Sequence, residues 1–209
     1  MTPYSQRLVT IDATFRCPLE CPKCFRQTLR SNNMKIPGDD MTIEQFNKLV
    51  NYFARIDICG QVSDPIFNPN FIDFLKICKE KNKKISIHTA ASQKPESWWK
   101  QAFESNLDAH WIFGIDGLPH ESFLYRINQD GEKLFKMMQL AKKCGVKYVI
   151  WQYIIFSYNE NHIEEANKLA KDNDIIFELN YSGRWQKEKE HDMYKPIDSS
   201  KRLISKHDR

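Results

Sequence analysis

The sequence predicts an α/β fold, a partial (β/α)6 barrel of parallel strands, on three observations. Short β-rich runs alternate with helical runs along the chain, and that alternation calls for a parallel sheet with crossover helices. The strand runs are apolar on one parity: Val9, Ile11, Ile56, Ile58, Ile85 and Ile87 share a face. The opposite parity carries Thr10, Asp12, Asp57, Ser86, His88, Asp116, Gln152, Glu178 and Asn180. An open sheet covered on both sides would be apolar on both faces. One polar face instead points to a curved, partly open barrel around a wet cavity.

The elements follow in order. Residues 8–14 (LVTIDAT) read as a strand that ends at a cysteine-rich loop. Residues 42–53 read as a helix, because Thr42 with Gln45 three positions on is a capping-box pattern. Residues 55–59 form a short strand. Asn68-Pro69 supplies an N-cap and first helical residue for a helix to about Lys81. Residues 84–89 are a strand, and 95–104 a helix opened by Pro95, with Trp98 and Trp99 packing it on the barrel. Residues 108–115 are a strand, 131–144 a helix stopped by Gly145. Residues 147–156 are a strand, 160–171 a helix and 175–181 a strand. The tail from Trp185 is charged and reads as a terminal helix or a frayed end. All 209 residues make one domain, with the barrel over about 8–181.

Composition narrows the function classes. Apolar residues are 41% and charged residues 28%, as in an ordinary globular protein. The net charge of +4 permits an anionic partner without requiring one. Aromatic residues are not interleaved with a basic patch, so nucleic acid is not indicated. No apolar run approaches the ~20 residues needed to span a bilayer, and the N-terminus has no signal-peptide core. A cytoplasmic location is expected, where thiols stay reduced. The six cysteines are then not a disulfide framework.

The chemistry sits in "ATFRCPLECPKCFRQ", which places Cys17, Cys21 and Cys24 within eight residues. Zinc sites ask for four ligands in paired units, and Cys59, Cys78 and Cys144 form no such pair. Three thiolates suit a [4Fe-4S] cluster with one iron left open. Pro18 and Pro22 keep the loop from coiling into a helix. Arg16, Lys23 and Arg26 bring positive charge to an anionic cluster. In barrel-type α/β proteins such a loop, at the C-terminal end of a strand, is where reactive groups sit.

This CxxxCxxC loop after the first strand resembles that of the radical SAM superfamily. Further segments resemble the family in the right order. "GQVSDP", Gly60 to Pro65, is similar to the segment that binds the methionine amino group, with Gly60, Ser63 and Asp64 as candidates. "IHTAAS" is similar to the turn after the third strand, through Thr89. "FGIDGLPHESFLYR" resembles the fourth-strand segment of the SPASM/twitch branch. It implies Asp116 near the active-site mouth and Arg126 on the cofactor carboxylate. "FSYNEN" places Asn159 where an asparagine closes the site over the ribose. One position departs from the pattern: Lys23 stands where the family has an aromatic residue, and Phe25 follows the third cysteine instead.

The resemblance implies a fold, a cofactor pair and a chemistry. S-adenosyl-L-methionine would chelate the open iron. One-electron reduction would cleave it to methionine and a 5′-deoxyadenosyl radical that takes hydrogen from substrate. It also implies an external one-electron reductant of flavodoxin or ferredoxin type. No cysteine follows Cys144, so one cluster is expected, without the auxiliary-cluster domain of the SPASM/twitch branch. Gln152, a lone polar residue in its strand, is a further cofactor-site candidate. His88 and Glu178 are the candidates facing a polar substrate. The open mouth would be closed by substrate, a partner chain or self-association. The rival from another class is a non-catalytic iron–sulfur redox sensor or regulatory metal-binding protein.

Overall fold

The computed structural model describes residues 7–182 and 192–202. Its six strands are β1 (Leu8–Ile11), β2 (Arg55–Cys59), β3 (Lys84–Thr89), β4 (His110–Gly114), β5 (Tyr148–Ile154) and β6 (Ile176–Asn180). They pair in parallel, in sequence order, into one sheet. β1 and β6 are its two edges, so the barrel is open. The connecting helices are α1 (Phe25–Ser31), α2 (Ile43–Tyr52), α3 (Phe71–Glu80), α4 (Glu96–Ser105), α5 (Gly131–Lys143) and α6 (Ile163–Asp172).

Strand parity decides which face the helices cover. Ile56, Ile58, Ile85, Ile87, Trp111, Phe113, Val149 and Trp151 are all buried in one core with the helices, and Val9 and Ile11 pack against it. α4 seals that core through Trp99, which is fully buried and stacks on Phe103 with centroids 5.7 Å apart. The other face is mixed rather than uniformly polar. Ile112, Ile150 and Ile154 alternate with buried core residues on β4 and β5, and polar residues share that face on every strand: Thr10, Asp57, Ser86 and His88, His110, Gln152, Glu178 and Asn180.

Several ends follow the expected chemistry. The Thr42 hydroxyl accepts from Gln45 N–H while the Gln45 side chain accepts from Thr42 N–H, a complete capping box on α2. Gly145 takes φ +89° past the end of α5. Gly145 N–H reaches Lys142 O and Val146 N–H reaches Ala141 O, each at 3.0 Å, which satisfies two otherwise free carbonyls.

Other ends differ from the sequence expectation for local reasons. β1 stops at Ile11 rather than residue 14, where the Asp12 carboxylate accepts from Gln61 N–H and the Thr14 hydroxyl donates to Asp40. α3 starts at Phe71 with Asn70 as N-cap, not at Asn68. The Asn68 amide is committed to the carbonyls of Ala13 and Met41, and its Oδ1 accepts from Asn70 N–H. α6 starts at Ile163, because Asn159 and His162 are spent in the turn before it. α1 was not expected at all; it starts directly after Cys24, once the prolines are passed. The expected tail element lies partly outside the described residues, at 185–191 and 203–209. Within 192–202 the chain forms only a 3-10 turn at Ser199–Lys201.

Candidate active site

The cysteine loop leaves the C-terminal end of β1 and is tied down on three sides. Arg26, nearly buried on α1, donates to Phe15 O at 2.5 Å and to Val62 O at 3.0 Å. That joins the loop to the turn after β2. Glu20 N–H donates to Ile127 O at 3.1 Å, and Asn128 Nδ2 to Pro18 O at 3.1 Å, which join it to the segment after β4. Arg16 makes a forked ion pair with Asp40, its nearest contact 2.7 Å.

Cys17, Cys21 and Cys24 form no disulfide and line one cavity of about 460 Å³. Burial, with Asp64 adding, pushes the Cys17 thiol up to about 12. Cys24 Sγ donates to Gln61 O at 3.8 Å. Among the described residues no three His, Cys, Asp or Glu side chains converge on a point where a single metal ion could sit. A zinc-type centre needs such convergence. A cubane does not, because each thiolate holds a different iron.

The turn after β2 forms the next wall. A Cβ on Gly60 would meet Ser63 O at 1.8 Å, so only glycine fits this turn. Asp12 fastens it from β1: its carboxylate accepts from Gln61 N–H at 2.8 Å and from the Ser63 hydroxyl. Asp64 is buried and accepts from the Thr89 hydroxyl and from the N–H groups of Ala90, Ala91 and Ile66. Burial pushes its carboxyl up against the pull of these donors. Asp64 thus stitches the turn after β2 to the turn after β3, a role its sequence position did not suggest.

Arg126 lines the far wall. Its Nε lies 2.7 Å from Oδ2 of Asp116, whose side chain is 0% exposed. Burial would lower the guanidinium pKa, but Asp116 and Cys21 outweigh it and the pKa is raised. Gly114 makes room for this side chain, since a Cβ there would stand 2.7 Å from Arg126 Nη2. Asp116 is itself held, accepting from Ile154 N–H at 3.0 Å through Oδ1.

The expected site residues divide by position. Cys17, Cys21, Cys24, Gly60, Ser63, Asp64, His88, Arg126 and Gln152 line the one cavity. Asp116 lies behind it as the ion-pair partner of Arg126. Asn159 is fully buried in the turn after β5, where its amide accepts from Phe156 N–H and donates to Ile154 O. Glu178 is exposed on β6 and accepts from Asn180 Nδ2 at 3.0 Å. His88 Nε2 lies 3.1 Å from Asp57 Oδ1. Sequence reasoning passed over Cys59, which also lines the cavity and pairs in register with His88. Burial, with Asp57 and Asp12 adding, pushes the Cys59 thiol up to about 11. Its place at the end of β2, just before Gly60, was the available signal.

No family model matches the chain. It aligns with the tungsten-containing aldehyde ferredoxin oxidoreductase cofactor-modifying protein of Pyrococcus furiosus at 22% identity over 145 residues. Its backbone superposes on SuiB of Streptococcus suis with a TM-score of 0.69, over 93% of this chain and 44% of SuiB, at 17% identity. It superposes on anSMEcpe with bound AdoMet with a TM-score of 0.63, over 91% of this chain and 55% of that one, at 20% identity. Both neighbours are radical SAM enzymes. The chain has the radical SAM fold. In the radical SAM fold as built here, the cavity opens at the C-terminal ends of the strands, where the cysteine loop leaves β1. The match to the Pyrococcus protein spans 65% of this chain and 39% of that protein.

Proposed function

We propose that the chain is a radical SAM enzyme, with Cys17, Cys21 and Cys24 holding one [4Fe-4S] cluster and the adjoining cavity taking S-adenosylmethionine. One observation carries this reading: the three thiols of a single CxxxCxxC spacing share a cavity with a buried, ion-paired arginine and a glycine-dependent turn. When bound, the cluster and S-adenosylmethionine would supply a 5′-deoxyadenosyl radical able to take hydrogen from a substrate. The chain's own residues bind, orient and exclude water. Arg126, fixed by Asp116, offers a cation to the cofactor carboxylate. Gly60 and Ser63 shape the wall against which the methionine end lies, and Asp64 holds that wall in register with β3. Gln152 offers its amide across from Gly114. Asn159 keeps the turn after β5 in shape.

On the substrate side, His88 is the polar group presented to the cavity, and Asp57 fixes its orientation. Glu178 stands on the open edge strand as an outer contact. A peptide is the substrate class we favour: SuiB has been solved with its precursor peptide SuiA, and anSMEcpe with a Cp18Cys peptide. An open edge suits entry of an extended chain. Electrons would come from an external one-electron donor of flavodoxin or ferredoxin type.

The test is anaerobic reconstitution with iron and sulfide, then dithionite and S-adenosylmethionine, with 5′-deoxyadenosine measured by mass spectrometry. The reading expects about 4 iron atoms per chain, as one cubane holds, and 5′-deoxyadenosine formation lost in each of Cys17→Ala, Cys21→Ala and Cys24→Ala. A stable cluster with no 5′-deoxyadenosine would make the chain a redox sensor instead.

A further inference from the structure

The segment 192–202 is not the frayed end expected from its charge. It has a 3-10 turn but no helix or strand, yet specific contacts fix it along its length. Its far end is moored to the turn before α6. Lys201 Nζ donates to Glu160 O at 2.8 Å, and Asp198 N–H to Glu160 Oε2 at 3.2 Å. Its middle is held to the same turn by Ser157, whose N–H donates to Tyr194 O at 3.1 Å and whose hydroxyl donates to Met193 O.

The near end reaches the cysteine loop. Asp192 Oδ1 accepts from Tyr194 N–H at 2.9 Å, which shapes the turn. Asp192 Oδ2 pairs with Nζ of Lys23, the residue between Pro22 and Cys24. The two side chains are 12% and 19% exposed, so solvent and salt screen the pair little. The Tyr194 ring packs edge-on to Tyr125 at 5.2 Å, and Tyr125 stacks on Phe156 at 4.2 Å. Cys21 packs against the same small apolar cluster. Tyr125 directly precedes Arg126 in the chain. The segment therefore touches two residues of the cavity wall, Lys23 on the thiol loop and Tyr125 beside the arginine.

We propose that residues 192–202 are a positioning clasp for the site: Asp192 latches Lys23 of the cysteine loop, and Tyr194 wedges the clasp against the ring stack beside Cys21 and Arg126. The clasp sets the spacing between the loop and the strand ends. Asp192 offsets the charge of Lys23 beside the cysteines. This explains a lysine within the CxxC half of the spacing as one member of a pair.

The inference has two readouts, one of which does not need the proposed cofactors. The first is amide hydrogen exchange by mass spectrometry on the full chain as purified, read over residues 17–28. Asp192→Asn keeps Oδ1 as the acceptor for Tyr194 N–H and removes the charge and the acceptor facing Lys23. It should speed exchange in the loop by about fivefold or more, the effect of roughly 1 kcal/mol. Tyr194→Ala should do the same and Tyr194→Phe should not. Lys23→Met combined with Asp192→Asn should be no faster than the faster single variant, because the pair acts as a unit. The second readout is the midpoint potential of the reconstituted cluster. Asp192→Asn should shift it positive, since a negative charge beside the cysteine loop is removed, and adding Lys23→Met should reverse the shift; a fold defect alone gives no such reversal. Loop exchange unchanged in both Asp192→Asn and Tyr194→Ala overturns the clasp. A wild-type chain that takes up no cluster overturns the proposed function, and the exchange experiment still decides the clasp.

Discussion

Arg126 is where burial, charge and close packing meet in one side chain. Its guanidinium is anchored by a fully buried carboxylate at 2.7 Å and passes over a glycine that leaves no room for a methyl group. An arginine held this way has little orientational freedom left to lose on meeting a carboxylate. Arg126→Ala should weaken S-adenosylmethionine binding by about 1.5–3 kcal/mol, the range for a hydrogen bond to a charged group. Gly114→Ala should weaken it too, although Gly114 itself offers no side chain, because the added Cβ displaces Nη2. Calorimetric titration of both variants checks this; unchanged affinity in both returns Arg126 to a purely structural role. At this scale the sequence was legible where a residue type has one chemistry. The three closely spaced cysteines do gather on one cavity wall, as their spacing implies. Asp64 was less legible, because an aspartate that binds a ligand and one that ties two turns together look alike until its hydrogen-bond partners are known.

The elements were legible in the measure that their signals are local. The capping box at Thr42 and the glycine stop at Gly145 are satisfied within a few residues of themselves, and both appear as expected. Where ends shifted, a long-range partner had claimed the residue: Asn68 caps two distant carbonyls rather than its own helix, and Asp12 leaves its strand to hold the turn after β2. The alternation of parity also survived, because a one-residue slip would turn every core side chain to the cavity. What parity could not convey was the apolar part of the inner face, since Ile112, Ile150 and Ile154 read in sequence as core like their neighbours. The cysteine loop depends on Arg26 in a way the sequence hides. Arg26 was read as charge near a cluster, and it serves two backbone carbonyls instead. Arg26→Met should remove the donor to both carbonyls and destabilise the fold by about 1–3 kcal/mol for the buried Val62 carbonyl and by less for the part-buried Phe15 carbonyl. Arg16→Ala, which removes a half-exposed forked pair, should cost little stability. Urea denaturation of the two variants separates these roles; equal midpoints would contradict the assignment.

At the scale of the whole molecule, the design is an open six-stranded barrel whose helices cover one face and whose other face, with the loops at its C-terminal end, encloses the cavity. Among the described residues no helix is long and apolar enough to cross a membrane. The charged tail looked like solvated chain because charge runs usually are. Its described part, residues 192–202, is held by partners reached from across the fold, Lys23, Tyr125, Ser157 and Glu160, which no local pattern announces. The central claim is that three thiolates hold a cluster with an open iron that S-adenosylmethionine occupies, at the place where Arg126 can reach the cofactor. Electron paramagnetic resonance of the dithionite-reduced, reconstituted protein, recorded with and without S-adenosylmethionine, tests it most directly. The account predicts a [4Fe-4S]+ signal whose g-values change on adding the cofactor, with the change weakened in Arg126→Ala. A reduced-cluster signal identical with and without S-adenosylmethionine would contradict it.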